Sequence, residues 1–133
     1  MLNNIINNKL QEIRIQSVYE DGILEYEFNS LFFLVANQWF EINVAEGVLR
    51  VVLSNIPELK LFDVNSVGFQ FPIKNLVNDF LNKNIYNHKI EDIFLIKRDN
   101  YDFGIIMQIN NYDLVIKENT KLECMNFYIC GKL

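Results

Sequence analysis

Three two-residue turn signals, each set between alternating apolar residues, constrain this chain more than any other feature. Asp21-Gly22 joins "QSVYE" to "ILEYEF", Glu46-Gly47 joins "WFEINVA" to "VLRVVLS", and Asn110-Asn111 joins "FGIIMQI" to "YDLVIKE". Gly and Asn tolerate positive φ, so each pair suits the tight turn of an antiparallel hairpin. A tight turn also fixes register. The first hairpin would pair Tyr19 with Leu24, Ser17 with Tyr26 and Ile15 with Phe28. The second would pair Val44 with Leu49, Ile42 with Val51 and Phe40 with Leu53. The third would pair Ile109 with Tyr112, Met107 with Leu114 and Ile105 with Ile116. In all three the apolar residues gather on one face, and a one-residue slip would mix the faces everywhere.

The predicted strands run near residues 11 to 20, 23 to 28, 39 to 45, 48 to 54, 91 to 97, 103 to 109 and 112 to 118. Leu31 to Val35 is apolar on both faces, as in a buried central strand, and a tight turn near Asn37-Gln38 leads out of it. "LECMNFYIC" reads as a last strand with two-sided evidence for its pairing. A three-residue loop sets Lys117 opposite Glu123, a favourable pair, but also sets Asn126 opposite Leu114. One helix is expected near residues 74 to 84, where Leu76, Val77, Phe80 and Leu81 recur at helical spacing and Pro72 suits a first turn. A short N-terminal helix fits Leu2, Ile5, Ile6 and Leu10, and residues 57 to 66 carry no assignment. The fold class that follows is α+β, mainly antiparallel β, with hairpin meanders forming a curved sheet or half-barrel and one main helix.

A chain of 133 residues, half of them apolar, fits one domain spanning residues 1 to 133. The N-terminus lacks the basic stretch and apolar run of a signal peptide, and no window approaches the roughly 20 apolar residues of a membrane span. A cytoplasmic location is the expectation. The two cysteines, Cys124 and Cys130, lie about 20 Å apart on one extended strand and read as reduced thiols. With His88 as the only histidine, they do not make a zinc site, so no metal and no cofactor is expected.

Charge is unevenly distributed. Residues 1 to 46 carry a net charge of -5, residues 47 to 90 +2 and residues 91 to 133 -2. "SVYEDGILEYEF", residues 17 to 28, holds Glu20, Asp21, Glu25 and Glu27 with no Lys or Arg. The hairpin register turns Glu25 and Glu27 outward, either as a solvated face that keeps the sheet soluble or as a surface that recognises a basic protein. Nucleic acid is disfavoured, since phosphates would be repelled and no basic stripe opposes the acids.

Catalytic readings fail on chemistry. Glu25 and Glu27 on an open strand lack the burial that would separate their pKa values into an acid and a base. His88 has no visible nucleophilic partner. "DNYDFG" lacks the alternating oxygen ligands and closing Glu of a calcium loop and reads as a hairpin turn. Trp39, Tyr101 and Tyr112 either anchor an interface or complete the core; in the predicted register Trp39 points outward, Tyr101 lies on a turn and Tyr112 points inward.

The acidic single domain, the strand-rich pattern with one helix and the segments "FNSLFFLVANQWFEIN" and "VGFQFPI" together resemble small bacterial immunity proteins of polymorphic and contact-dependent growth inhibition toxin systems. The likeness is one of general character along the whole chain, and no functional residue is carried over from it. It implies a cytoplasmic, non-catalytic protein that binds the toxin domain of its own system, often a basic nuclease, and blocks it. The residues expected to meet that partner are Glu20, Glu25, Glu27, Trp39 and Tyr101. The alternative is a small-molecule-binding or regulatory domain using the inner surface of a curved sheet; an enzyme with a site assembled from distant residues is a third option.

Overall fold

The turn residues adopt the backbone that tight hairpins require. In the computed structural model, which describes residues 2–60, 68–75, 86–98, 101–119 and 124–131, Asp21 and Gly22 have φ of 50° and 82°, and Glu46 and Gly47 have 53° and 73°. A third such pair is Ala36-Asn37, at 51° and 60°, one residue earlier than the turn expected near Asn37-Gln38. Gln11 holds it in place, its Oε1 accepting from the Asn37 N–H at 2.8 Å while its Nε2 donates to Asn37 Oδ1 at 3.1 Å.

These turns connect strands β1 (Leu10–Glu20), β2 (Ile23–Val35), β3 (Gln38–Ala45) and β4 (Val48–Ser54). Two short strands, β5 (Phe69–Gln70) and β6 (Ile73–Asn75), pair with the other side of β1, completing a six-stranded antiparallel sheet ordered β4-β3-β2-β1-β5 with β6 also on β1. A second antiparallel sheet is a four-stranded meander, β7 (Ile90–Arg98), β8 (Tyr101–Ile109), β9 (Tyr112–Asn119) and β10 (Cys124–Gly131). The β3–β4 and β8–β9 registers are those the sequence predicts, including Ile42 opposite Val51 and Met107 opposite Leu114.

The two sheets face each other across one apolar core. Ile13, Ile15, Leu31, Phe33 and Ile42 come from the first sheet and Ile105, Met107, Leu114, Ile116 and Phe127 from the second, nearly all of them fully buried. β10 lies over β2 and β3, and β4 lies over β8 and β9. The sheets also join at one corner. Asn7 N–H donates to Ile90 O at 2.8 Å and Ile90 N–H to Asn8 O at 2.9 Å, while Leu10 N–H donates to His88 O at 3.0 Å and Asn87 N–H to Leu10 O at 2.7 Å. Register shifts at Leu10/Glu12 in β1 and Ile90/Asp92 in β7 sit beside this corner, where strands must bend to pass from one layer to the other.

The expected α+β class is therefore corrected to two packed antiparallel sheets. The residues that open the expected helix, 74 and 75, belong to β6, paired with Ile15 and Arg14 of β1; residues 76 to 84 lie outside the described residues. The only helical piece among the described residues is one 3-10 turn, Leu2–Ile5, while Leu10, assigned above to an N-terminal helix, starts β1.

Two registers also differ. Ile15 pairs with Leu31 and Tyr26 with Val18, because β1 advances two residues while β2 advances four between Gln16/Ser30 and Val18/Tyr26. Ser17 is held there from both sides, its hydroxyl donating to Glu27 O at 2.8 Å and its N–H to Pro72 O at 3.1 Å. β10 is shifted by three residues from the Lys117–Glu123 pairing. Asn126 opposes Lys117, and Phe127 and Ile129 oppose Ile116 and Leu114, so burial of the apolar face outweighs a single charge pair.

Candidate functional site

The β1–β2 hairpin is longer than its neighbours. β3 pairs with β2 only from Ser30 to Val35, so among the described residues no strand lies on that side of Ile23 to Asn29. Phe28 still reaches the core, its ring 5.6 Å from that of Phe127. Beyond it the hairpin projects past the core, and Leu24, expected to point inward, is exposed together with Ile23. Outward exposure of Glu25 and Glu27 agrees with the sequence reading, and Glu20 and Asp21 are exposed as well.

β5 docks against this tip. Asp21 N–H donates to Gly68 O at 3.0 Å, and Gly68 N–H returns a bond to Asp21 Oδ1 at 2.7 Å. Glu20 then lies in one cross-strand row between Ile23 and Phe69, which are 68% and 63% exposed. The result is an acidic side chain flanked by two large apolar ones, with Glu25 and Glu27 farther along the same hairpin. Among the described residues, no cation pairs with Glu20, Glu25 or Glu27; the ion pair that the structure does show is Arg14 with Glu12 at 2.9 Å.

Trp39 has a different part. It lies on the outer face, as expected, but is only 6% exposed, packed with Phe32, Ile73 and Leu34. The chain leaving β4 folds back over this face. Arg14 stacks its guanidinium 4.7 Å from the Trp39 ring centroid and donates through Nη1 to Pro57 O, and Lys60 N–H donates to Ile73 O at 3.1 Å. Trp39 thus closes a small second core and offers no free docking surface. Tyr101 opens β8 opposite Arg98; its side chain lies outside the described residues.

Sequence reasoning missed Phe69 and Glu118. Phe69 belongs to "FQFP", where a Pro just after an apolar pair is a signal for a short edge strand. Glu118 has no comparable signal. It is 7% exposed, its Oε2 has no hydrogen-bond partner, and an added Cβ at Gly47 would stand 3.8 Å from its Oε1. A lone carboxylate does not hold a metal, and among the described residues no three His, Cys, Asp or Glu side chains come together to do so. Cys130 is a free, exposed thiol, and among the described residues no helix is long and apolar enough to cross a membrane. Compared with known proteins, the chain matches no family model, no curated protein and no solved structure.

Proposed function

We propose that this protein is a non-catalytic binding protein that neutralises a basic protein partner in the cytoplasm, in the manner of the toxin-immunity proteins it resembles, with a basic nuclease domain as the partner. The observation that carries this reading is the projecting hairpin tip. Ile23, Leu24 and Phe69 are exposed beside Glu20, Glu25 and Glu27, a combination that folding does not require. Burying such apolar side chains under a partner yields on the order of 1.5–3 kcal/mol each before ordering costs, and the acids supply the charge selection and the steering. The small-molecule alternative has less support, because the inner surfaces of both sheets are filled by each other's side chains.

The test begins with the neighbouring reading frame: the reading expects it to encode a secreted protein with a basic C-terminal domain, and that domain is the binding partner to be measured. Glu25→Lys with Glu27→Lys should slow association by about tenfold or more and flatten its dependence on salt, with stability changed by less than about 0.5 kcal/mol. Unchanged rates and an unchanged salt slope would remove the hairpin tip from the interface.

A further inference from the structure

One buried carboxylate stands without a partner at the end of the core. Glu118 follows Leu114 and Ile116 on the core-facing side of β9 and lies opposite Met125 of β10. It is 7% exposed, and its Oε2 is buried with no hydrogen-bond partner, a placement that costs stability unless something meets the charge. The cations along β9 and β4 are engaged elsewhere. Lys117, on the opposite face of β9, lies 6.0 Å over the Tyr128 ring, and Arg50 Nε donates to Asn43 Oδ1 at 3.4 Å. Among the described residues Glu118 has no ion-pair partner.

The β3–β4 turn borders this carboxylate. A Cβ added at Gly47 would stand 3.8 Å from Glu118 Oε1, so glycine leaves room beside the oxygen that any side chain would narrow. Gly47 has φ of 73°, and Glu46 next to it is exposed. This turn lies at the same end of the first sheet as Asp21-Gly22, because β1 to β4 form an antiparallel meander. One end of the sheet therefore carries both the exposed acids Glu20, Glu25 and Glu27 and the turn beside Glu118.

We infer that Glu118, with Glu46 at its rim, is a socket for one cationic side chain, Lys or Arg, of the basic partner; the inference rests on the reading of the hairpin tip given above. The class of ligand follows from the donors. Two carboxylates fall short of the roughly six oxygens that a calcium or magnesium ion takes, and among the described residues no third His, Cys, Asp or Glu joins them. A single ammonium or guanidinium carries only donors and is satisfied by one or two charged acceptors. It is also the group that a basic partner brings. A charge pair formed in a water-poor site acts on dissociation, whereas exposed acids act on association. Glu118 would hold the partner that Glu20, Glu25 and Glu27 steer.

The probe is butylguanidinium chloride, with butylurea as its uncharged counterpart, added to the full chain at constant ionic strength. In amide NMR spectra the Gly47 and Glu118 signals should move saturably with butylguanidinium, at a millimolar dissociation constant, and stay in place with butylurea. Glu118→Gln keeps the shape and removes the charge, and it should weaken the probe by about tenfold or more while its urea midpoint stays at or above that of the wild type. Gly47→Asn keeps both carboxylates and a residue that tolerates positive φ, and it should weaken the probe by narrowing the approach. Circular dichroism verifies that both variants fold. No saturable movement at Gly47 and Glu118, or equal binding by Glu118→Gln, would overturn the socket and leave the hairpin-tip reading standing. Probe binding together with an unchanged association rate in the Glu25→Lys, Glu27→Lys variant would support the socket and remove the tip. With the basic domain itself, Glu118→Gln should dissociate about tenfold faster or more with little change in salt slope, and wild-type dissociation would overturn the socket's part in holding the partner.

Discussion

Arg14→Met is the change that most directly tests how the outer face of the first sheet is closed. Methionine keeps the unbranched stem, so packing along the strand survives while the guanidinium is lost. Three interactions go with it. The stack over Trp39 at 4.7 Å contributes about 1 kcal/mol at a partly desolvated site. The charged bond to the Pro57 carbonyl contributes about 1.5–3 kcal/mol, since its removal strands an acceptor beside buried Pro57. The pair with Glu12, whose two side chains are 15% and 29% exposed, adds at most about 1 kcal/mol. These share one group and are not additive, so a net loss of about 2–3 kcal/mol is expected. Arg14→Lys should recover less than half of it, because an ammonium lacks the planar fork that stacks and donates at once. Urea unfolding followed by circular dichroism gives the energy. The emission of Trp39, the chain's single tryptophan, reports the site and should shift to the red as residues 55–60 lift and water enters. A loss below about 0.5 kcal/mol with unchanged emission would refute the account and leave this segment held by β6 alone.

Three further outcomes are expected. Glu118→Met should raise stability by about 1–3 kcal/mol in urea unfolding, because it removes a buried carboxylate oxygen without a partner; a fall would show that the carboxylate is satisfied in solution. Gly104→Ala should lower the urea midpoint by an amount corresponding to about 1–3 kcal/mol, since its Cβ would come 2.9 Å from the Ile116 carbonyl oxygen, with Ile96 Cδ1 and Lys117 Cγ at 3.2 and 3.3 Å. Burial pushes the Tyr86 phenol up from 10.0 to about 12, with the Glu12 charge adding to the rise and the bond from the Ile13 N–H opposing it. The folded state therefore favours the neutral phenol, and its contribution is fully present below pH 10 and lost as pH rises from 10 towards 12. Urea titrations should therefore show the wild type losing stability relative to Tyr86→Phe as pH rises from 10 towards 12, and a difference that stays constant across that window would refute the assignment.

How much of this was legible in the sequence depends on the range of the interaction concerned. Tight turns are local, so Asp21-Gly22, Glu46-Gly47 and Asn110-Asn111 marked real hairpins, and two of the three registers followed from alternation alone. The first hairpin keeps Tyr19 opposite Leu24 as expected but slips beyond it, where Ser17 is bonded both to Glu27 of β2 and to Pro72, a partner more than fifty residues away that no local pattern reveals. Alternation also counts faces without knowing where the opposite sheet ends. Leu24 and Phe28 look equivalent in sequence, yet Phe28 meets Phe127 and Leu24 meets no core. Trp39 fails in the opposite sense. It sits at an outward position, but Arg14 and Ile73 arrive over it from elsewhere in the chain. Helical spacing in "IKNLVNDFL" put Lys74 and Asn75 in a helix, whereas Ile73, Lys74 and Asn75 pair along the open edge of β1, a partner that the local spacing does not reveal.

The same geometry separates what the fold needs from what recognition would use. Glu20, Glu25 and Glu27 have no ion-pair partner among the described residues, and Ile23 and Phe69 are mostly exposed, so removing their charge or apolar surface leaves the main core intact. The residues that hold the structure lie elsewhere: Phe33, Ile105 and Leu114 between the sheets, and Trp39 beneath Arg14 outside them. A surface kept exposed and charged without a structural return is costly in solubility terms for its apolar part, and the acids around it only partly offset that. Solvation accounts for the carboxylates but not for exposed Ile23, Leu24 and Phe69, and the partner proposed above would cover these apolar side chains while meeting the acids.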